Sequence, residues 1–280
     1  DYSPSPYDSH SLAIESTNFM STSIEWTSET WNFLTGCQAV SSGCLNCYAE
    51  RMAERLEAMG NPRYRNGFEF TIHEDKLDKP KSWKKPRQIF VNSMSDLFHP
   101  KAPEGLIRRA FQGMMDVDRH VYQLLTKRAN RLADVGPSLP WGPHMWAGVS
   151  VENEEPIGSS GYCPTDRIDD LRRCGADTKW VSAEPLIGPL PNLNLGGIDW
   201  VVVGGESGPI DDIREMKLGW VRDIIAQCRA QDTAVFVKQL GTVWGRENGL
   251  RGKAGDPSKW PEDLRIREQP DILDDQPELA

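Results

Sequence analysis

Three cysteines are the residues of this chain most able to do chemistry. Cys37, Cys44 and Cys47 stand in a C-x6-C-x2-C array within TGCQAVSSGCLNCY, residues 35–48, so half of the six cysteines fall within eleven residues. Thiolates are soft ligands, and a tight loop closed by a C-x2-C pair suits zinc or an iron–sulfur cluster. A structural zinc site wants four protein ligands, and the nearest histidines, His10 and His73, have no finger-like spacing to the array. Three thiolates with an open fourth position point to a 4Fe–4S cluster whose remaining iron is free to bind something else. Zinc, a disulfide and reduced structural thiols are the alternatives.

Such a loop needs elements to hold it, and the chain supplies a regular alternation. Ile24 to Phe33 reads as the first strand, delivering Gly36 and Cys37 at its C-terminal end. Ala49, Met52, Ala53 and Leu56 recur at helical spacing, and Gly60 closes that helix. Residues 61–87 form a long, polar, Pro-punctuated insertion. Apolar runs at Gln88–Val91, Val121–Leu125, Met145–Val149, Lys179–Ala183, Asp199–Val203 and Ala234–Val237 read as strands. Helical patterns fall between them, one opened by Pro103 and carrying Leu106, Ile107, Ala110, Phe111 and Met114. Others precede Val135, span about Asp166–Cys174 and carry Val221, Ile224, Ile225 and Cys228, whereas 186–197 lacks a helix. This rhythm predicts an α/β fold with a parallel sheet: an incomplete (β/α) barrel, with a doubly wound open sheet as the alternative.

Each expected strand ends in polar residues: Cys37, then Ser95 and Asp96, Lys127, the group Ser150, Glu152 and Asn153, then Glu184, Glu206 and Lys238. In a parallel barrel these ends converge on one mouth, where active sites sit. Singly, each has a plain explanation: Asp96 or Glu206 as a helix cap, Glu184 paired with Lys238, Gly204-Gly205 as a tight turn. Seven such ends, beginning with a three-cysteine loop, favour an enzyme.

Composition bounds the partners. At 280 residues and 38% hydrophobic the chain is long enough for one large domain, and no apolar run reaches the ~20 residues that span a bilayer. Residues 1–22 lack a charged start followed by an apolar stretch and read as a flexible extension, not a signal peptide. The barrel is expected over 23–245, with the cysteine loop at 36–48, and 246–280 as a polar, acidic tail, loose or strapped over the bottom of the barrel. Scattered Cys163, Cys174 and Cys228 form no disulfide framework, and the array suits a reducing, cytoplasmic compartment. A net charge of −9 argues against broad phosphate neutralisation. Lys76 to Arg87, KLDKPKSWKKPR, is the local exception, with six basic residues and Trp83. It reads as a solvated loop or as an edge that contacts a nucleic acid or nucleotide.

Beyond these patterns, TSIEWT, GCQAVSSGCLNCYAERMAERL, FVNSMSDLFH, LLTKR, GVSVEN, VSAEPL and VVVGGESG, from about Ser23 to Trp244, resemble a phage-associated and bacterial three-cysteine family of the radical S-adenosylmethionine (SAM) superfamily. The pattern is also similar to spore photoproduct lyase in its Ser-Asp, Thr-Lys and Ser-x-x-Asn elements. The resemblance implies a 4Fe–4S cluster on Cys37, Cys44 and Cys47, with SAM on the remaining iron and a reducing electron donor as partner. It implies that Ser95 and Asp96 bind the SAM ammonium, Lys127 its carboxylate, and Ser150 with Asn153 and Glu152 the ribose hydroxyls or amino-acid moiety. Glu184, Glu206 and Lys238 are left for substrate and catalysis. The implied activity is generation of a 5′-deoxyadenosyl radical that modifies a nucleotide, nucleic acid or related metabolite. The superfamily's usual loop is C-x3-C-x2-C, so the six-residue first spacing is a departure, one that small Ser41, Ser42 and Gly43 allow to close. A non-catalytic iron–sulfur or zinc protein, sensing redox state or scaffolding a partner, is the competing class. A hydrolase using Glu184 and Glu206 as acid and base would leave the cysteines without a role.

Overall fold

A computed structural model describes residues 22–270. The expected N-terminal extension, up to residue 21, and the end of the expected acidic tail, 271–280, lie outside the described residues. In chain order the elements are β1 (Glu29–Trp31), β2 (Leu34–Thr35), α1 (Tyr48–Ala58), β3 (Thr71–Ile72), α2 (Lys79–Ser82) and β4 (Gln88–Val91). Then come α3 (Glu104–Met115), β5 (Val121–Thr126), α4 (Ala129–Val135), β6 (Met145–Ser150), α5 (Arg167–Arg172) and β7 (Lys179–Ala183). The series ends with β8 (Trp200–Gly204), α6 (Leu218–Ala230), β9 (Ala234–Gln239) and α7 (Gly241–Glu247).

Seven strands pair in the order β1-β4-β5-β6-β7-β8-β9, every neighbour parallel. Neither edge strand pairs with the other, so the sheet is an incomplete (β/α) barrel. Its strands are short and apolar because both faces are covered, the pattern expected of a parallel sheet. On the outer face Ile89, Val91, Leu124, Val149, Val181, Val201, Val203 and Val235 pack in one core with α3 and α6. The helix α3 buries all five of the residues its spacing singles out. No helix among the described residues is long and apolar enough to cross a membrane.

The inner face is aromatic. Trp146, Trp180, Trp200, Phe90 and Phe236 form a separate cluster there, joined by Trp26 from the segment before β1. The Trp26 ring lies 4.8 Å from Phe90 and 5.1 Å from Trp180, centroid to centroid. This changes the first strand: sequence reading runs it from Ile24 to Phe33, but only Glu29–Trp31 pairs with the sheet. Burying an indole gains more than three further residues of edge pairing, so 24–26 turns in to fill the bottom of the barrel. The 61–87 insertion is likewise more structured than its composition suggests. It carries β3, antiparallel to β2 with Leu34 opposite Ile72, and buries Tyr64.

Chain beyond Gly245 is anchored as far as it is described. Trp260 and Leu264 are buried in the outer core, and Arg267 bridges Phe236 antiparallel to β9. The Trp200 indole donates to the Glu268 carbonyl at 2.8 Å, and Gln88 to the Gln269 side chain at 2.8 Å. The segment thus crosses the N-terminal ends of β8, β9 and β4 as a strap.

Gly148 shows how tightly the inner face is filled. It stands beside Trp180 in the β6–β7 register, and the Trp180 indole reaches over it to donate to the Leu124 carbonyl on β5 at 3.1 Å. A Cβ at Gly148 would lie 2.4 Å from that ring. Gly148→Ala is therefore expected to displace Trp180 and to cost about 1–3 kcal/mol, lowering the melting temperature by about 2–4 °C for each kcal/mol. An unchanged thermal melt would show that the aromatic layer has slack.

Candidate active site

The cysteine loop begins at a forced bend. Gly36 adopts φ +81°, and a Cβ there would meet the Glu69 carbonyl oxygen at 2.2 Å, so the backbone of the 61–87 insertion leaves room only for glycine. Gly36 N–H donates to the Met94 carbonyl at 2.9 Å and Cys37 N–H to Phe68 at 3.2 Å, tying the loop to the end of β4 and to the insertion. A single 3-10 turn, Ser42–Cys44, follows, and Cys47 is the residue before α1. The three thiols are free, each intermediate in exposure, and all line one cavity of about 660 Å³ at the C-terminal ends of the strands.

The cavity walls bring most of the sequence-predicted residues together. Ser95 and Asp96 follow β4, Lys127 follows β5, Ser150 ends β6, Glu184 follows β7, Glu206 follows β8, and Lys238 belongs to β9; all of these line it. Glu152 and Asn153 are buried behind the wall instead. The thiols share the cavity, but no three His, Cys, Asp or Glu side chains among the described residues are gathered as a grip for one metal ion. A cubane cluster does not need that, because each thiolate takes a different iron. Three soft donors in one half-buried wall, with no grip for a single metal ion among the described residues, fit a cluster better than a mononuclear structural zinc. Burial raises the Cys37 thiol pKa, with Asp96 adding to the rise and Arg128 opposing it; burial also raises Cys47.

Charges around the cavity are mostly spent on one another. Asp96 accepts from Thr126 Oγ1 at 2.7 Å, Phe98 N–H at 2.9 Å, Arg128 Nη1 at 2.8 Å and Lys127 N–H at 3.4 Å, which fills its acceptor capacity. Arg128 was visible in the sequence only as the neighbour of Lys127. Its guanidinium also reaches Cys37 Sγ at 3.3 Å and the Gln38 carbonyl at 2.8 Å, linking the loop to Asp96. Lys127 Nζ lies 3.3 Å from Glu152 Oε2, which Arg167 Nη1 also meets at 2.8 Å. Burial alone would raise the Glu152 pKa, but Lys127 and Arg167 outweigh it and hold the carboxyl down to about 2. Ser95 lines the cavity, but its Oγ is itself buried and has no hydrogen-bond partner among the described residues.

The two acids offered for an acid/base pair are both salt-bridged. Glu184 takes Lys238 Nζ on both oxygens, at 2.7 and 2.8 Å. Glu206 is held by Arg214, whose Nε is 3.0 Å from Oε2, and by Asn46 at 3.2 Å. Burial raises the Glu206 pKa, but these hydrogen bonds more than compensate and leave it lowered. Both carboxylates of the Glu184–Glu206 pair are thus committed to cationic partners.

The basic stretch lies at the other end of the barrel. Arg87 directly precedes β4, the Pro80 carbonyl meets His120 just ahead of β5, and Arg119 donates to the Trp83 carbonyl at 2.8 Å. Trp83 packs on the outer core, with Lys79 and Arg87 over its ring at 5.4 and 5.9 Å. Neither its position nor its covered ring places it at the cysteine cavity.

Among solved structures the chain is similar to spore photoproduct lyase complexed with dinucleoside spore photoproduct, at 11% identity and a TM-score of 0.43. A mutant of that enzyme with bound AdoMet and dinucleoside spore photoproduct gives 11% and 0.45. In both, the match covers 78% of this chain and 65% of the other, so this chain spans less than two thirds of their length. Identity this low assigns no residue a role. No curated protein matches the sequence. A family model matches residues 21–264, and the chain belongs to that family, described as "Protein of unknown function (DUF5131)".

Proposed function

We propose that this chain is a radical SAM-type iron–sulfur enzyme. The observation that carries the reading is the convergence of Cys37, Cys44 and Cys47 with the polar ends of β4 to β9 on one cavity at the mouth of an incomplete parallel barrel. The three thiolates would hold a 4Fe–4S cluster. Ser95, Lys127 and Ser150 line the same space and would hold the polar groups of SAM. When bound, the pair supplies one-electron cleavage of SAM and a radical able to abstract a hydrogen atom. The chain's own part is to orient the two, to exclude water behind the aromatic inner face, and to seat a substrate against the Glu184–Lys238 pair.

The substrate proposed is a nucleotide or related metabolite. A volume of about 660 Å³ is in the usual range for small-molecule sites, and it is shared with SAM. A polynucleotide held at 76–87 would lie at the wrong end of the barrel. A reducing electron donor is the further partner this chemistry requires. One observation favours the second reading, a non-catalytic metal–sulfur protein: Asp96, Glu184 and Glu206, the acids among the described residues that line the cavity, are all ion-paired, as is Glu152 behind them.

Anaerobic reconstitution is expected to give a brown protein with about four irons per chain, and Cys44→Ala to abolish the colour. Stoichiometric zinc in the native chain would remove the cluster. With the cluster in place, 5′-deoxyadenosine should accumulate when SAM and a reductant are added; its absence, with SAM still bound, would favour the non-catalytic reading.

Lys127→Met tests the SAM site separately. A charge-assisted contact to a carboxylate is worth about 1.5–3 kcal/mol, so SAM affinity measured by equilibrium dialysis, and expressed per iron-loaded chain because Lys127 also pairs with Glu152, should fall about ten- to a hundred-fold. Unaltered affinity would take Lys127 out of the site.

A further inference from the structure

We infer that Glu152 with Asn153, and Glu206 with Arg214, are positioning residues that clamp the cysteine loop from two sides. This assigns them away from contact with SAM or substrate, and it rests on the reading that the loop carries a metal–sulfur group.

The six residues between Cys37 and Cys44 make a long loop, and ordering a long loop costs conformational entropy. Contacts from two distant strand ends offset that cost. From the end of β6, Glu152 accepts a hydrogen bond from the Ser41 hydroxyl and Asn153 Nδ2 donates to Ser42 Oγ at 3.3 Å. From beyond β8, Arg214 Nη1 donates to the Ser42 carbonyl at 2.9 Å. Asn46 Nδ2 donates to Glu206 at 3.2 Å and to the Asp212 carbonyl at 2.7 Å. Cys44 therefore lies between gripped residues on both sides. Gly43 sits so closely on Glu152 that a Cβ there would be 2.9 Å from its carboxyl carbon.

The clamping acids have nothing left to offer a ligand. Glu152 is fully buried, does not line the cavity, and has Ser41 on one oxygen with Lys127 and Arg167 on the other. Glu206 is 3% exposed, and Arg214 and Asn46 occupy its oxygens. The longer first spacing acquires a purpose here, because Ser41, Ser42 and Gly43 are the residues that reach β6. Arg51 of α1 extends the grip, donating to the Asn46 carbonyl at 2.9 Å and to the Ser207 carbonyl at 2.5 Å.

The clamp can be tested on metal-free protein, where it does not depend on a cluster. Ser41→Ala removes one hydroxyl and leaves Lys127 and Arg167 on Glu152; Arg214→Ala releases Ser42 and Glu206 from the other side. Iodoacetamide alkylation, followed by peptide mapping, should show Cys44 and Cys47 reacting about ten-fold faster in either variant, the size expected for losing a hydrogen bond to a charged group. Buried Cys174 should react as in the parent chain, which reports that the fold is intact. After reconstitution, both variants should lose iron to a chelator faster than the parent. Unchanged alkylation would overturn the clamp, and unchanged alkylation with weakened SAM binding in Ser41→Ala would return Glu152 to the cofactor site. A parent chain that takes up no iron, while both variants still alkylate faster, would overturn the metal reading and leave the anchoring of the loop standing.

Discussion

A fully buried carboxylate sets the terms for the mouth of this barrel. Glu152 has no solvent to screen it, and a buried charge is tolerable only when paired and hydrogen-bonded. Its partners come from three separate elements: Lys127 from the end of β5, Arg167 from α5, and Ser41 from the cysteine loop. Removing any one leaves charge behind in a low-dielectric place. The lowered pKa carries a direction for pH. Because the folded value, about 2, is below the ordinary 4.5, the stabilisation from Glu152 is complete above about 4.5 and fades as pH falls from there through about 2. Near neutrality the carboxylate is permanently charged, which suits a fixed structural anchor and does not suit a proton carrier.

Polarity is graded along the barrel axis. The bottom of the inner face is closed by Trp26 and the tryptophans of β6, β7 and β8, then sealed from outside by the strap that ends at Gln269. Higher up, the inward positions change to Ser150, Ser182, Glu184 and Lys238, so the polar groups sit only where the cavity opens. The period-2 alternation of a strand produces this arrangement. On β7, Trp180 and Ser182 share a face, while Val181 and Ala183 face the helices. Gly148 is the concession that lets the largest side chain lie flat across its neighbour.

The strand–helix rhythm was legible because each element satisfies its own local rule. Gln88–Val91 and Lys179–Ala183 match the observed strands residue for residue, and α3 starts directly after its expected Pro103. Polar strand ends were legible too, since their position follows from the parallel topology. What one-dimensional reading missed lies in long-range choices. Trp26 left the first strand because the barrel interior needed filling, and nothing in 24–33 states that need. The pairing of Glu206 with Arg214 rests on a loop whose path no periodicity defines. The pairing of Glu184 with Lys238 was open to sequence reasoning as the plain alternative, and the structure makes it the observed one. Arg128 carried a weak signal, one cation directly after another at a strand end.

These ion pairs bear on what kind of ligand the cavity can recognise. A site that keeps unpaired acids presents a strong field and selects for charge. Here the field is largely cancelled by Lys238 on Glu184, Arg214 on Glu206, and Arg128 on Asp96. The rest of the wall is aromatic and thiol surface, with Ser95, Ser150 and Ser182 among its uncharged polar residues. The −9 net charge of the chain adds a long-range bias against polyanions. Ion pairing within the wall thus leaves shape and hydrogen bonding, more than unpaired carboxylates, as what this mouth presents.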